Sequence, residues 1–329
     1  MGNNFFSFLK KPLTNAKPSD HFDGRRFFNP DGSQKKSFWH LLIWIFTRTR
    51  TTWPMVQRDA VRPSILPVKP DELKLTYVNH ATILIQTPQL NVLTDPQWSL
   101  RASPFSWIGP KRVQTPGIPI SELPIIHVIL ISHNHYDHLD LPTLKNLQKF
   151  FAPVFIVPLG NRNLLEKNGL KRIIEMDWWD QEKFKDVVIT FMPAKHWSAR
   201  WLHDKYRTLW GSYGIEFANK KIYFAGDTGY GKHFQFIKER WGSPEVALLP
   251  IGSYEPRWFM KASHLNPEEA VLAHLDIGAK QSIGIHFGFW QLSDEPFDQP
   301  VKDLNVAIKK YQLSPQTFYT LKPGWNVTI

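Results

Sequence analysis

The 329-residue chain contains no cysteine. That absence removes disulfides, thiolate-bound zinc, iron–sulfur clusters and thiol nucleophiles together. Any metal must therefore rest on histidine, aspartate or glutamate. Long apolar runs are missing too. The longest, Phe38-Trp39-His40-Leu41-Leu42-Ile43-Trp44-Ile45-Phe46, falls far short of the roughly 20 residues that span a bilayer. The opening Met1–Lys11 lacks the order of a secretory signal, basic residues first and an apolar core after them. Gly2 is followed by Phe6 where a myristoylation site carries Ser or Thr. A cytoplasmic or peripheral-membrane location is expected.

Acidic residues are in deficit, 29 Asp+Glu against 40 Lys+Arg, for a net charge of +11. Such a balance favours anionic partners: phosphate-bearing small molecules, nucleic acid or an acidic membrane surface. Charge alone does not choose among them. A hydrophobic fraction of 42% with 21% charged residues describes a globular chain able to bury a full core.

Residues 1–70 are irregular, broken by Pro12, Pro18, Pro30, Pro54, Pro63, Pro67 and Pro70. They read as an extension that wraps or anchors a main domain over 71–329. Lys35, Lys36, Arg48 and Arg50 flank the apolar aromatic run. That pattern suits a helix lying in a membrane interface and equally an arm packed on the main body; periodicity does not separate the two. From Leu73 onward, Leu73–Val78, Ala81–Gln86 and Leu90–Thr94 predict a three-stranded meander. Further strands are predicted at His127–Ser132, Val154–Val157, Val187–Met192, Lys221–Ala225, Val246–Pro250 and Ser282–Ile285. Leu141, Leu144, Leu147 and Phe151 predict a helix capped by Asp140. Other helices are expected over Asn161–Gly169, Gly231–Trp241, Pro267–Leu275 and Val301–Tyr311, the third opened by Asn266, Pro267, Glu268 and Glu269. The mixture predicts one layered α/β domain.

The chemistry concentrates in Ser132-His133-Asn134-His135-Tyr136-Asp137-His138-Leu139-Asp140. Crowded imidazoles cannot all be charged, and packed neutral they need partners. Imidazole with carboxylate suits zinc, iron or manganese. His133 and His135 can point to one side of an extended segment, and Asp137 and His138 follow after a turn. H-x-H-x-D-H reads as two half-built metal positions. Three predicted strands then deliver one further ligand each at a C-terminal end: His196, Asp227 and His286.

These residues resemble the metallo-β-lactamase superfamily, and within it the branch of N-acyl-phosphatidylethanolamine-hydrolysing phospholipase D and its bacterial relatives. The resemblance runs from about Tyr77 to Phe289. It is carried by Asn79-His80-Ala81-Thr82, Thr94-Asp95-Pro96, Arg101-Ala102-Ser103-Pro104, Gly109-Pro110-Lys111-Arg112, Ser121-Glu122-Leu123-Pro124, residues 132–140, Trp210-Gly211-Ser212, Ala225 to Tyr230 and Pro267-Glu268-Glu269-Ala270. Residues 1–70 match poorly, and the thiol positions of the family are absent. The resemblance implies an αββα four-layer sandwich binding two divalent metal ions, zinc foremost, with iron or manganese also suited. One ion would sit on His133, His135 and His196, the other on Asp137, His138 and His286, with Asp227 bridging.

The resemblance further implies a phosphodiesterase of phospholipase D type, with a hydroxide shared by the ions as nucleophile. Asp95 would orient ligands near His135 from outside the ligand set. His264 is a candidate for contacting substrate phosphate or assisting proton transfer. His80 reads equally as a residue near the site or as a buried hydrogen-bonded one. His21, His40, His127, His203, His233 and His274 receive no function. Lys111, Arg112 and Arg257 read as solvated basic surface before phosphate contacts. The expected partners are a phospholipid substrate, a membrane surface and a second copy in a homodimer, with no nucleic acid. Alternatives are another phosphodiester or ester substrate, or a basic non-catalytic membrane- or nucleic-acid-binding protein.

Overall fold

Apolar strands without alternation, such as Val246–Pro250, call for cover on both faces. The computed structural model supplies it. It describes residues 17–32, 38–49, 51–55, 68–201 and 203–329. The readings made for Met1–Lys11, for Lys35, Lys36 and Arg50, and for Pro12, Pro63 and Pro67 lie outside those residues.

The strands in chain order are β1 (Lys74–Asn79), β2 (Thr82–Gln86), β3 (Asn91–Thr94), β4 (Val128–Leu130), β5 (Val154–Pro158), β6 (Ile173–Met176) and β7 (Gln181–Phe184). They continue as β8 (Val187–Met192), β9 (Ser212–Phe217), β10 (Lys220–Phe224), β11 (Val246–Pro250), β12 (Gln281–Ile285), β13 (Phe318–Thr320) and β14 (Asn326–Thr328). The helices are α1 (Phe38–Thr47), α2 (Leu141–Phe151), α3 (Arg162–Lys167), α4 (His233–Trp241), α5 (Arg257–Met260), α6 (Pro267–Ile277) and α7 (Gln299–Lys310).

Two seven-stranded sheets result, β14-β1-β2-β3-β4-β5-β6 and β13-β12-β11-β10-β9-β8-β7. The β1–β2–β3 meander is antiparallel, and β3 to β6 run parallel. In the second sheet β7 to β10 are antiparallel and β10 to β13 parallel. One apolar core, including Leu75, Leu130, Ile189, Phe191 and Leu248, joins strands of both sheets. Leu144, Leu147 and Leu165 of α2 and α3 cover the outer face of the first sheet. Phe234, Ile237, Val271, Ala273 and Leu304 of α4, α6 and α7 cover the second. The layering is αββα. Each fully buried Leu, Ile or Phe contributes about 1.5–3 kcal/mol.

The structure adds strands that the residue pattern does not announce. β7 reads Gln-Glu-Lys-Phe because it is an edge strand, where charge discourages further pairing. β9 contains Gly214, where an added Cβ would stand 2.6 Å from the Trp241 ring; the bare backbone lets α4 lie close. β14 pairs antiparallel with β1, so the last residues close the first sheet. β6 and β13 are short strands that add in parallel beside β5 and β12, the strands preceding them in the chain. Asp140 does occupy the N-cap position of α2, but its side chain makes no cap bond. It accepts instead from Ser99 N, Ser99 Oγ and Thr143 Oγ1.

The N-terminal residues contact the main body at specific points. Phe22 and Phe27 are buried within the inter-sheet core. Trp44 Nε1 of α1 and Arg48 Nε just past its end donate to Asp294 at 2.7 and 2.9 Å, and Trp44 stacks on Phe259. The same helix leaves Trp39 and Phe46 72% and 83% exposed.

Candidate metal centre

Strand ends bring the histidines together. The loop after β4 carries His133 to His138, the segment after β8 carries His196, the turn after β10 carries Asp227, and His286 follows β12. Several turns are made with left-handed backbone: φ is 36° at His80, 32° at Asp95, 61° at His286 and 58° at Gly226. Non-glycine residues adopt this region at a cost, Asp and His less reluctantly than most. At Gly226 a Cβ would meet Ser132 Cβ at 2.5 Å, so glycine there lets the Asp227 turn pack against the His133 loop.

Two groups of donor atoms form. His133, His135 and His196 converge, with His135 Nδ1 lying 2.8 Å from His133 Nε2 and 3.3 Å from His196 Nε2. Beside them lie Asp137, His138, His286 and His80. Asp137 Oδ2 is 3.2 Å from His138 Nε2 and 3.3 Å from His286 Nε2. Asp227 stands between the groups. Its Oδ2 is 4.0 Å from His133, 3.8 Å from His196 and 3.4 Å from His138, and its Oδ1 is 3.0 Å from His286. His264 Nδ1 reaches the same carboxylate at 3.7 Å.

The electrostatics are those of a cation site. Burial opposes ionisation of Asp137 and Asp227, but His138 and His286 outweigh it and hold both carboxyls well below their usual range. Burial lowers His133 and His135, and crowding by other imidazoles adds to it, with His135 brought down to about 3. Burial would also lower His138 and His286; Asp227 and Asp137 reverse that, raising His286 to about 9. The buried carboxylates are thus compensated by protons on His138 and His286, a positive charge that a bound cation can supply instead. Imidazole nitrogens and carboxylate oxygens at this spacing fit a divalent ion, which would displace the ring protons.

The surrounding contacts fix ring orientation. Asp95 Oδ2 lies 2.6 Å from His138 Nδ1, and Ser132 N donates to Asp95 Oδ1 at 2.7 Å. Asp95, expected to orient ligands near His135, is aimed by the β3 turn at His138. His196 Nδ1 is 2.8 Å from the carbonyl of Ser263, and Ser132 Oγ is 2.9 Å from His133 Nδ1. Arg200 was not singled out in the sequence. It donates to the carbonyls of Asn134 and Leu139 at 2.9 and 2.8 Å and lies over the Tyr136 ring, clamping the ligand loop. No local motif marks it. His80, left undecided by its sequence position, lies 3.1 Å from Asp137 Oδ2.

Of the basic residues expected as solvated surface, Lys111 is exposed, whereas Arg112 and Arg257 are engaged. Arg112 donates to the carbonyl of Trp98, and Arg257 pairs with Glu269 at 2.6 Å while donating to the carbonyl of His264. Trp197 packs edge-on against His135 at 4.4 Å.

Residues 90–287 match the beta-lactamase superfamily domain. The N-acyl-phosphatidylethanolamine-hydrolyzing phospholipase D 1 of Caenorhabditis elegans is 36% identical over 265 residues, 76% of this chain and 74% of that protein. An uncharacterized protein of Mycobacterium tuberculosis is 36% identical over 275 residues, 82% of this chain and 73% of that protein. Among solved structures, the metallo hydrolase Igni18 of Ignicoccus hospitalis shares the fold, with a TM-score of 0.58 at 20% identity over 78% of this chain and 98% of that one. Fold and site define a metal-dependent hydrolase. The chain belongs to the metallo-β-lactamase superfamily, in the branch that includes the N-acyl-phosphatidylethanolamine-hydrolysing phospholipases D.

Proposed function

We propose that this hydrolase cleaves the phosphodiester of N-acyl-phosphatidylethanolamine, releasing an N-acylethanolamine and phosphatidic acid. The observation that carries the reading is Asp227 standing between two groups of converging donors; the C. elegans relative named for this lipid supplies the substrate class. His133, His135 and His196 would hold one divalent ion and Asp137, His138 and His286 the second, with Asp227 shared and zinc the leading candidate. Such ions supply charge neutralisation for phosphoryl oxygens and a water acidified toward neutral pH.

The chain's own residues do the rest. Asp95, Ser132 and the Ser263 carbonyl hold the rings in place. A water oxygen bonds to phosphorus as the water gives up a proton, the bond to the ethanolamine oxygen breaks, and that leaving oxygen takes a proton. His264 is our candidate for steadying the phosphate or delivering the proton, because its ring borders Asp227 and its side chain retains 14% exposure. A peripheral membrane placement is supported by the exposed Trp39, Ile43 and Phe46 of α1, with Trp258 of α5 also exposed. No helix among the described residues is long and apolar enough to cross a membrane.

The test is product analysis with purified, metal-loaded protein on mixed micelles of the lipid. Release of N-acylethanolamine supports the reading. Turnover confined to soluble phosphodiesters or lactones would reassign the substrate.

A further inference from the structure

His80 is the member of the buried cluster that the ligand assignment leaves unused. It occupies the tight turn between β1 and β2, where Asn79 pairs with Thr82. Its left-handed backbone turns the ring inward, leaving the residue 1% exposed. Three contacts run from this one residue to two others. Its Nε2 lies 3.1 Å from Asp137 Oδ2. Its carbonyl accepts from His286 N at 2.8 Å. Its ring centroid sits 3.9 Å from that of His286. Asp137 comes from a loop of the first sheet and His286 from a strand end of the second, so His80 ties the two sheets together at the site.

We propose that His80 is a positioning residue for the second metal position: its ring N–H holds Asp137 in ligating orientation while its carbonyl and ring face locate His286. The proposal rests on the assignment of Asp137, His138 and His286 as ligands. Position argues for this role over direct ligation. His138 and His286 each face both Asp137 and Asp227, whereas His80 pairs with Asp137 alone of the two carboxylates, at the Oδ2 those rings also approach. A carboxylate ligand held by an additional N–H donor loses rotational freedom before the metal arrives, and removing such a partner typically costs 10- to 100-fold in metal affinity. The carbonyl contact is made by the backbone, so side-chain variants that keep the turn isolate the ring.

The experiment compares wild type, His80→Ala, His80→Gln and Asp137→Ala. Each is loaded with Zn2+ and titrated against a competing chelator, with bound equivalents measured by elemental analysis and the Tm of the metal-free form recorded. His80→Ala is expected to weaken the less tightly held equivalent by about 10- to 100-fold. His80→Gln, whose amide can donate to Asp137, should recover most of that loss, and the two variants should share one metal-free Tm. Wild-type affinity in both variants would reduce His80 to packing and overturn the proposal. Equal loss in both would make His80 a direct ligand, overturning it the other way. A single equivalent in wild type, or two retained by Asp137→Ala, would overturn the ligand assignment beneath it, and would show in proteins whose His80 is intact.

Discussion

Asp95 Oδ2 lies 2.6 Å from one nitrogen of His138, and the opposite nitrogen of that ring faces Asp137 and Asp227 at 3.2 and 3.4 Å. The carboxylate thus selects which ring nitrogen is offered to a metal and raises its basicity. Asp95→Asn keeps an acceptor for Ser132 N but loses the charge. Metal affinity should fall about 10- to 100-fold, read by chelator competition, with the fold retained by circular dichroism. Unchanged affinity would reduce Asp95 to a turn residue.

Asp227 is the carboxylate common to both donor groups. Asp227→Asn should therefore bind less metal and lose more activity than an outer-shell variant such as Asp95→Asn, that is, more than about 100-fold. Metal content and lipid hydrolysis measured on the same preparation check this. Full occupancy with undiminished turnover would refute a bridging role.

Helix α6 begins with a capping box: Asn266 accepts from Glu269 N while the Glu269 side chain accepts from Asn266 N. Asn266→Ala should cost about 1 kcal/mol of stability, measured by urea unfolding. Because α6 follows His264, a drop in activity larger than the stability loss would mean that the cap also places that histidine.

His21 anchors the N-terminal segment, with its Nε2 2.7 Å from Asp177 and its ring stacked on Trp178. Burial lowers its pKa, but hydrogen bonds to Asp177 and Asp20 outweigh burial and hold it above 6.5. A raised folded pKa means the ion pairs stabilise fully below pH 6.5 and weaken as pH rises through the folded value. Protection factors of residues 17–32, with the intrinsic pH dependence of amide exchange divided out, should therefore fall across that window, and His21→Gln should abolish that fall. A protection factor flat with pH in wild type would contradict the assignment.

Much of the site was legible because it is local. H-x-H-x-D-H, the strand runs ending before His196, Asp227 and His286, and the start of α6 at Asn266 each depend on a few neighbouring residues, and the structure brings those donors together. Strands that are short, polar or paired with a distant part of the chain were not legible. β14 closes on β1 only in the folded chain, and β7 carries edge-strand polarity that reads as a loop.

The amino-acid sequence by itself determined the chemical character of the protein: no cysteine, hence a centre built from imidazole and carboxylate on short apolar strands. Tertiary structure decided which group serves which. Left-handed turns at His80, Asp95 and His286 set where those side chains point, and residue order does not display the sign of φ. Arg200 reached the ligand loop, Asp95 turned to His138 and His80 found Asp137 because two sheets pack face to face. The packing free energy of that shared core is spread over many distant pairs, and no local pattern records it.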